Sequence, residues 1–210
     1  MTKIIDISVP LSPDLPVWPG DQKVVINKQY DMQNGDAANL TSLHISSHTG
    51  THIDAPLHFV NGGKTTADIP LGKLIGECQV VDCQGLKQID AAFLQKLSLP
   101  DYTHKLLFKT DNSKLWENPK HPFFKEYCAL TPDAAEWVVA NQIHLVGIDY
   151  ASIELFTGSG ETHVVLLSGE VVILENLDLR FVEPGRYKLI CLPLKIDGVE
   201  GTVARAVLEK

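Results

Sequence analysis

Short apolar runs rich in valine and isoleucine recur along the chain, separated by polar segments. They fall at 4–9 (IIDISV), 24–27 (VVIN), 78–83 (CQVVDC) and 106–109 (LLFK), then at 144–149 (HLVGID), 171–174 (VVIL), 187–196 (YKLICLPLKI) and 202–209 (TVARAVLE). Runs of this length and β-branched content predict strands. Two segments predict helices. Residues 90–97 (DAAFLQKL) open on Asp90 as N-cap, and residues 131–141 (TPDAAEWVVAN) open on Thr131 with Pro132 at the first helical position. Strands outnumber helices and the helices lie between them, so the pattern predicts one mixed α/β domain over 1–210, built around one or two sheets. Residues 111–128 show no period and predict a long loop.

Composition narrows the partners. The 210 residues carry a formal charge of −8, the wrong sign for a nucleic-acid surface or an anionic membrane. No apolar run approaches the ~18 residues of a membrane span. The opening MTKIIDISVPL meets Asp6 too early for a signal-type apolar segment. The four cysteines, Cys78, Cys83, Cys128 and Cys191, form no C-x-x-C pair and predict reduced, buried small hydrophobes. A cytoplasmic location is the resulting expectation.

The chemistry concentrates in residues 46–59, SSHTGTHIDAPLHF, which hold His48, His52, Asp54 and His58. His44, His48, His52, Asp54 and His58 share even positions, while Leu43, Ile45, Ile53, Ala55, Leu57 and Phe59 share odd ones. An extended chain would put the first set on one face and the second on the other. A helix is disfavoured by Gly50 and by the β-branched Thr49, Thr51 and Ile53. A straight strand would hold His48 and His58 roughly 33 Å apart, too far for one ion. Gly50 and Pro56 supply bends, so a strand ending near His48 and a tight loop through 50–57 would gather the ligands. Two imidazoles and a carboxylate suit Zn²⁺, Mn²⁺ or Fe²⁺ and leave positions for water. Solvated surface histidines are the alternative.

The string HTGTHIDAPLHF resembles the H-x-G-T-H-x-D-A-P-x-H signature of the cyclase family, which includes bacterial kynurenine formamidase and isatin hydrolase. IDISVPLSPDLPVWPGD resembles that family's opening segment, and VGIDYASIE with ETHVVLLSGEVVILENLDL resembles its C-terminal half. The resemblance implies a swivelling β/β/α-type fold with mixed sheets, in a homodimer or homotetramer. It implies one or two zinc or manganese ions held by His48, His52 and Asp54, with His163 and Glu175 completing a second position and Asp54 bridging. It assigns proton transfer to His58 and a place in the substrate pocket to Trp18. The implied reaction is metal-dependent hydrolysis of a small-molecule amide. An aryl formamide such as N-formylkynurenine comes first and an isatin-like cyclic amide second. Cyclase or lyase chemistry on the same site and non-catalytic metal or small-molecule binding are the alternatives. Lys109 stands where the family pattern has arginine, which keeps the charge but loses the bidentate fork and bears on substrate choice. Without the resemblance, 162–169 reads as a short helix ended by Gly169, and Glu175 as the close of an apolar strand, where an unpaired carboxylate is costly.

Overall fold

The computed structural model describes residues 3–101, 103–118 and 120–210. In chain order the strands are β1 (Ile4–Asp6), β2 (Val25–Tyr30), β3 (Leu40–His44), β4 (His52–Asp54), β5 (Ile75–Asp82), β6 (Lys105–Lys109), β7 (Leu145–Ile148), β8 (Val172–Glu175), β9 (Gly185–Pro193) and β10 (Gly201–Glu209). The helices are α1 (Leu71–Leu74), α2 (Ala91–Leu94), α3 (Pro132–Ala140) and α4 (Glu161–Ser168). Seven strands form a mixed sheet ordered β10-β4-β8-β7-β6-β5-β9, and β9 pairs back onto β10 to close a barrel. Strand β1 flanks β10, and β2 and β3 form a separate two-stranded ribbon.

The neighbours β5, β6, β7 and β8 run parallel. Parallel neighbours need crossovers, which pass through α2, α3 and α4 in turn. Strands covered on both faces read as continuous apolar runs, and β6, β7 and β8 are buried along their whole length. Alternate residues serve two cores. Ile53, Val80, Leu107, Leu145, Leu174, Leu189 and Ala206 fill the barrel interior. Val81, Phe108, Val146 and Ile173 face outward and pack with Ala134, Val138, Leu166 and Leu167 of α3 and α4. Gly147 has no room for a side chain, because a Cβ there would lie 2.5 Å from Leu107 Cδ2.

The predicted strands all appear, with shifted ends. The run at 24–27 extends to Tyr30 and pairs with β3, which the apolar pattern did not mark, because all five of its residues are exposed. Residues 111–117 form a 3-10 helix rather than loop. Its period of about three residues escapes a search for helical or strand spacing. Thr110 caps it by accepting from the Asn112 amide at 2.9 Å. Asp90 caps α2, accepting from Phe93 N at 2.8 Å. Thr131 and Pro132 take the predicted N-cap and first helical positions of α3, although the Thr131 hydroxyl binds Asp133 Oδ1 and the Ile89 carbonyl rather than a helix amide. The four cysteines are free and buried. Among the described residues no helix is long and apolar enough to cross a membrane.

Candidate metal centre

The H-T-G-T-H segment bends earlier than predicted. Strand β3 ends at His44, residues 47–51 turn, and β4 begins at His52 inside the span expected to be loop. The barrel explains this: Ile53 fills its interior, and β4 pairs with both β10 and β8. Gly50 adopts φ 63°, and a Cβ there would lie 2.5 Å from Leu11 Cδ2. Asn176, just past the end of β8, clamps the turn. Its side-chain amide donates to the Gly50 carbonyl at 3.1 Å, and its own carbonyl accepts from Thr51 Oγ1 at 2.6 Å. Even–odd alternation therefore holds over residues 52–54, with His52 and Asp54 on the outer face of the barrel wall.

Register places His52 directly opposite Glu175 and Asp54 opposite Ile173. Opposed residues on one face are neighbours, so two ligand-type side chains meet across β4 and β8. His52 Nε2 lies 3.3 Å from Glu175 Oε2 and 3.4 Å from Asp54 Oδ1. His48 Nδ1 lies 2.8 Å from Asp54 Oδ1. His163, on the buried face of α4, places Nε2 3.5 Å from Glu175 Oε1. His58, in a 3-10 turn begun by Pro56, stacks on His48 with ring centroids 4.0 Å apart. Phe59 stacks on His163 at 4.5 Å. The structure thus brings together His48, His52, Asp54, His58, His163 and Glu175.

Two trios of side chains have candidate ligand atoms within 4.8 Å of one another: His52, Asp54 and Glu175, and His48, Asp54 and His58. Asp54 belongs to both, as a bridging carboxylate would. His58 falls in a ligand trio as well as beside the cavity. His52 Nε2 and both Asp54 carboxylate oxygens are buried without a hydrogen bond from any described residue. Leaving a buried charged group unsatisfied costs about 1–3 kcal/mol or more, so such a cluster needs a cation. Without metal, protons supply it. Burial lowers the His52 and His163 imidazoles, but the Asp54, Glu154 and Glu175 carboxylates outweigh it and raise both to about 10. Burial likewise raises Asp54, and the His48 and His52 imidazoles overcome it, holding the carboxyl well below the usual range. The donor set therefore fits a divalent ion.

Outer partners orient the imidazoles. His52 Nδ1 contacts the Gly50 carbonyl at 2.7 Å, which leaves Nε2 free toward the carboxylates. His163 Nδ1 contacts Glu154 Oε2 at 2.8 Å. Glu154 also accepts from Gly160 N at 2.7 Å and His163 N at 3.2 Å, so it closes the start of α4 while fixing the ring. Such outer-shell carboxylates set tautomer and basicity. The sequence reading assigned Glu154 no role, although it stands nine residues before His163. Asn176 and Glu200 were missed too. Glu200 Oε1 accepts from Ser47 Oγ at 2.6 Å and lies 3.4 Å from His48 Nε2. Gly201, opposite Asp54 in register, leaves room for His48, since a Cβ there would lie 2.5 Å from the ring.

A cavity of about 360 Å³ opens onto this cluster, lined by His48, His58, His163 and Glu175 together with Trp18, Phe59, Ser152 and Glu200. Trp18, 38% exposed, packs against Phe123 and Phe156 at 5.4 and 5.2 Å. Lys109 points elsewhere: its Nζ donates to the Val182 carbonyl at 2.6 Å and the Arg180 carbonyl at 3.4 Å, so it braces the 180–182 segment. A larger groove of about 520 Å³, along β10 beside Leu192 and Leu194, contains none of these histidines. His44 is exposed at the end of β3, and His104 stacks on His144 away from the site.

Comparison with known proteins agrees with the geometry. Residues 5–155 match the family described as Putative cyclase. Cyclase-like protein 1 of Arabidopsis thaliana is 36% identical over 217 residues, covering 99% of this chain and 85% of that protein. The fold matches a potential metal-dependent hydrolase with cyclase activity at TM-score 0.85 and 32% identity, covering 100% of this chain and 98% of the other. It also matches isatin hydrolase A from Labrenzia aggregata at TM-score 0.83 and 21% identity, covering 99% and 93%, a likeness of fold. The histidine and carboxylate cluster sits in a fold shared with these proteins, and the chain belongs to the Putative cyclase family.

Proposed function

We propose that this chain is a metal-dependent amide hydrolase acting on an aryl formamide such as N-formylkynurenine, a step of tryptophan degradation. One observation carries the proposal: unpartnered, buried Nε2 and carboxylate atoms converge beside a less buried imidazole, His58, at the floor of an aromatic-walled cavity. His48, His52, Asp54, His163 and Glu175 would hold one or two Zn²⁺ or Mn²⁺ ions. A divalent cation held there supplies Lewis acidity toward water and the substrate carbonyl.

The chain's own residues do the rest. Trp18 and Phe59 offer faces to an aryl ring. Burial lowers the His58 imidazole, so it is neutral at neutral pH and ready to take a proton. His58 accepts a proton from the attacking water and returns it to the departing nitrogen. A C–O bond forms as the C–N bond breaks, giving formate and an arylamine. Glu154 holds the His163 ring in place throughout.

A second reading is hydrolysis of a cyclic, isatin-like amide, favoured by the fold shared with isatin hydrolase A. Ultraviolet assays with N-formylkynurenine and isatin separate the two. Turnover of the formamide at least tenfold faster supports the first reading, and the reverse order supports the second. Bound metal with no turnover of any amide in a wide panel would mean a binding protein instead.

The expected homo-oligomer also remains a proposal. A two-stranded ribbon is marginal alone, and β2 and β3 expose Ile26, Tyr30, Leu40 and Leu43. The four buried thiols support action in a reducing compartment such as the cytoplasm.

A further inference from the structure

The cavity beside His58 has acidic walls and no countercharge. Asp21 and Glu200 both line it, and among the described residues no lysine or arginine does. Glu200 is fixed at the edge of the metal cluster by Ser47 Oγ at 2.6 Å. Asp21 closes a turn through its amide, which donates to the Trp18 carbonyl at 2.9 Å, and both residues line the cavity. Two lysines are engaged elsewhere. Lys125 Nζ sits 4.8 Å above the Phe156 ring without lining the cavity, and Lys109 is buried against the Val182 carbonyl.

Charge counting gives the same sign. Asp21, Glu175 and Glu200 line the cavity, Asp54 lies buried behind His48 and His58, and Glu154 adjoins it through His163. With the histidines neutral, one divalent ion leaves the site three negative charges and two ions leave one. A substrate anion would enter against this field, whereas a cation would be drawn by it. The carboxylates also adjoin aromatic faces, and an ammonium is attracted to both groups.

We propose that the site selects amides whose aromatic portion carries an amine and rejects those carrying a carboxylate there, with Glu200 and Asp21 as the specificity-determining residues. This deepens the amide-hydrolase reading of the same site and rests on it. N-formylkynurenine fits through its ammonium and gains nothing from its carboxylate. The decarboxylated counterpart, an aryl formamide bearing the amine alone, is the better substrate.

The test uses the metal-loaded protein and three formanilides alike except for one ring substituent: aminomethyl, methyl or carboxylate. The expected order of kcat/KM is aminomethyl, then methyl, then carboxylate. Each step is about five- to tenfold, carried mainly by KM and compressed by added salt. Asp21→Asn, remote from the metal ligands, and Glu200→Gln, checked for metal content, each shrink the spread; Lys125→Gln leaves it unchanged. A flat or reversed order, or an order untouched in the Asp21→Asn/Glu200→Gln double variant, overturns the proposal. If no formanilide is hydrolysed, the amide reading fails, and calorimetry with benzylammonium and benzoate still decides the charge preference. Tighter benzylammonium binding supports it. Equal binding, including none of either, overturns it.

Discussion

Asp54 and Asp149 are both fully buried carboxylates on the barrel wall or at its end, and they are treated in opposite ways. Asp149 is saturated by protein donors. It accepts from Thr110 N and Oγ1 at 2.8 and 2.7 Å and from Ser113 N and Oγ at 3.1 and 2.6 Å. Burial still pushes its carboxyl up, against those hydrogen bonds. Among the described residues no backbone or hydroxyl donor satisfies either Asp54 oxygen, and the carboxylate faces imidazoles instead, with His48 Nδ1 2.8 Å away. A structural carboxylate is completed by the fold, whereas a ligand carboxylate is left for something else to complete. Burial alone does not distinguish them; the donors around each do.

Stability should separate the two most strongly. Asp149→Ala strands four donors and should destabilise the protein by about 4 kcal/mol. Asp54→Asn should cost metal-free protein less, because its imidazole partners can shed their protons once the carboxylate charge is gone. Urea denaturation of chelator-treated protein checks both, and equal losses would erase the contrast. Next, His58→Ala should lower kcat by about 10²–10⁴-fold while the metal content stays at the wild-type level. Near wild-type turnover would remove His58 from proton transfer.

Glu154→Gln should weaken metal binding by about 10–100-fold, since it loses the charged partner of His163 Nδ1. Competition with a chromogenic chelator measures this, and an unchanged affinity would make Glu154 only a helix cap. The same pairing sets a pH slope. His52 and His163 are raised from 6.5 to about 10 in the metal-free fold. Their protonated forms therefore stabilise it fully below pH 6.5, and that stability is lost as pH rises toward 10. The Tm of metal-free protein should fall across that window. Saturating metal should flatten the slope, because it binds the deprotonated rings. A Tm that rises from pH 6.5 to 10 without metal would contradict the pairing of these rings with the carboxylates.

The barrel strands and the H-x-G-T-H-x-D ligands were legible because their signals are local: apolar runs for β5 to β10, and dense histidines around bend residues for the site. What stayed hidden depends on tertiary contact. Strand β3 carries no burial pattern, since both faces of its ribbon are exposed. The 3-10 helix at 111–117 is held from afar by Asp149. Glu175 becomes a neighbour of His52 only through the β4–β8 register. His163 gains its orientation from Glu154, and Glu200 reaches His48 across 152 residues of chain. Lys109 misled for the same reason, because its place along β6 does not reveal that it braces the 180–182 segment.

Titration calorimetry of Zn²⁺ and Mn²⁺ into metal-free wild type and Asp54→Asn tests the account most directly. Wild type should take up one or two ions per chain, with protons released, and Asp54→Asn should take up none at that site. No uptake by wild type, or equal uptake by both, would contradict a cation gathered by Asp54 and the imidazoles around it.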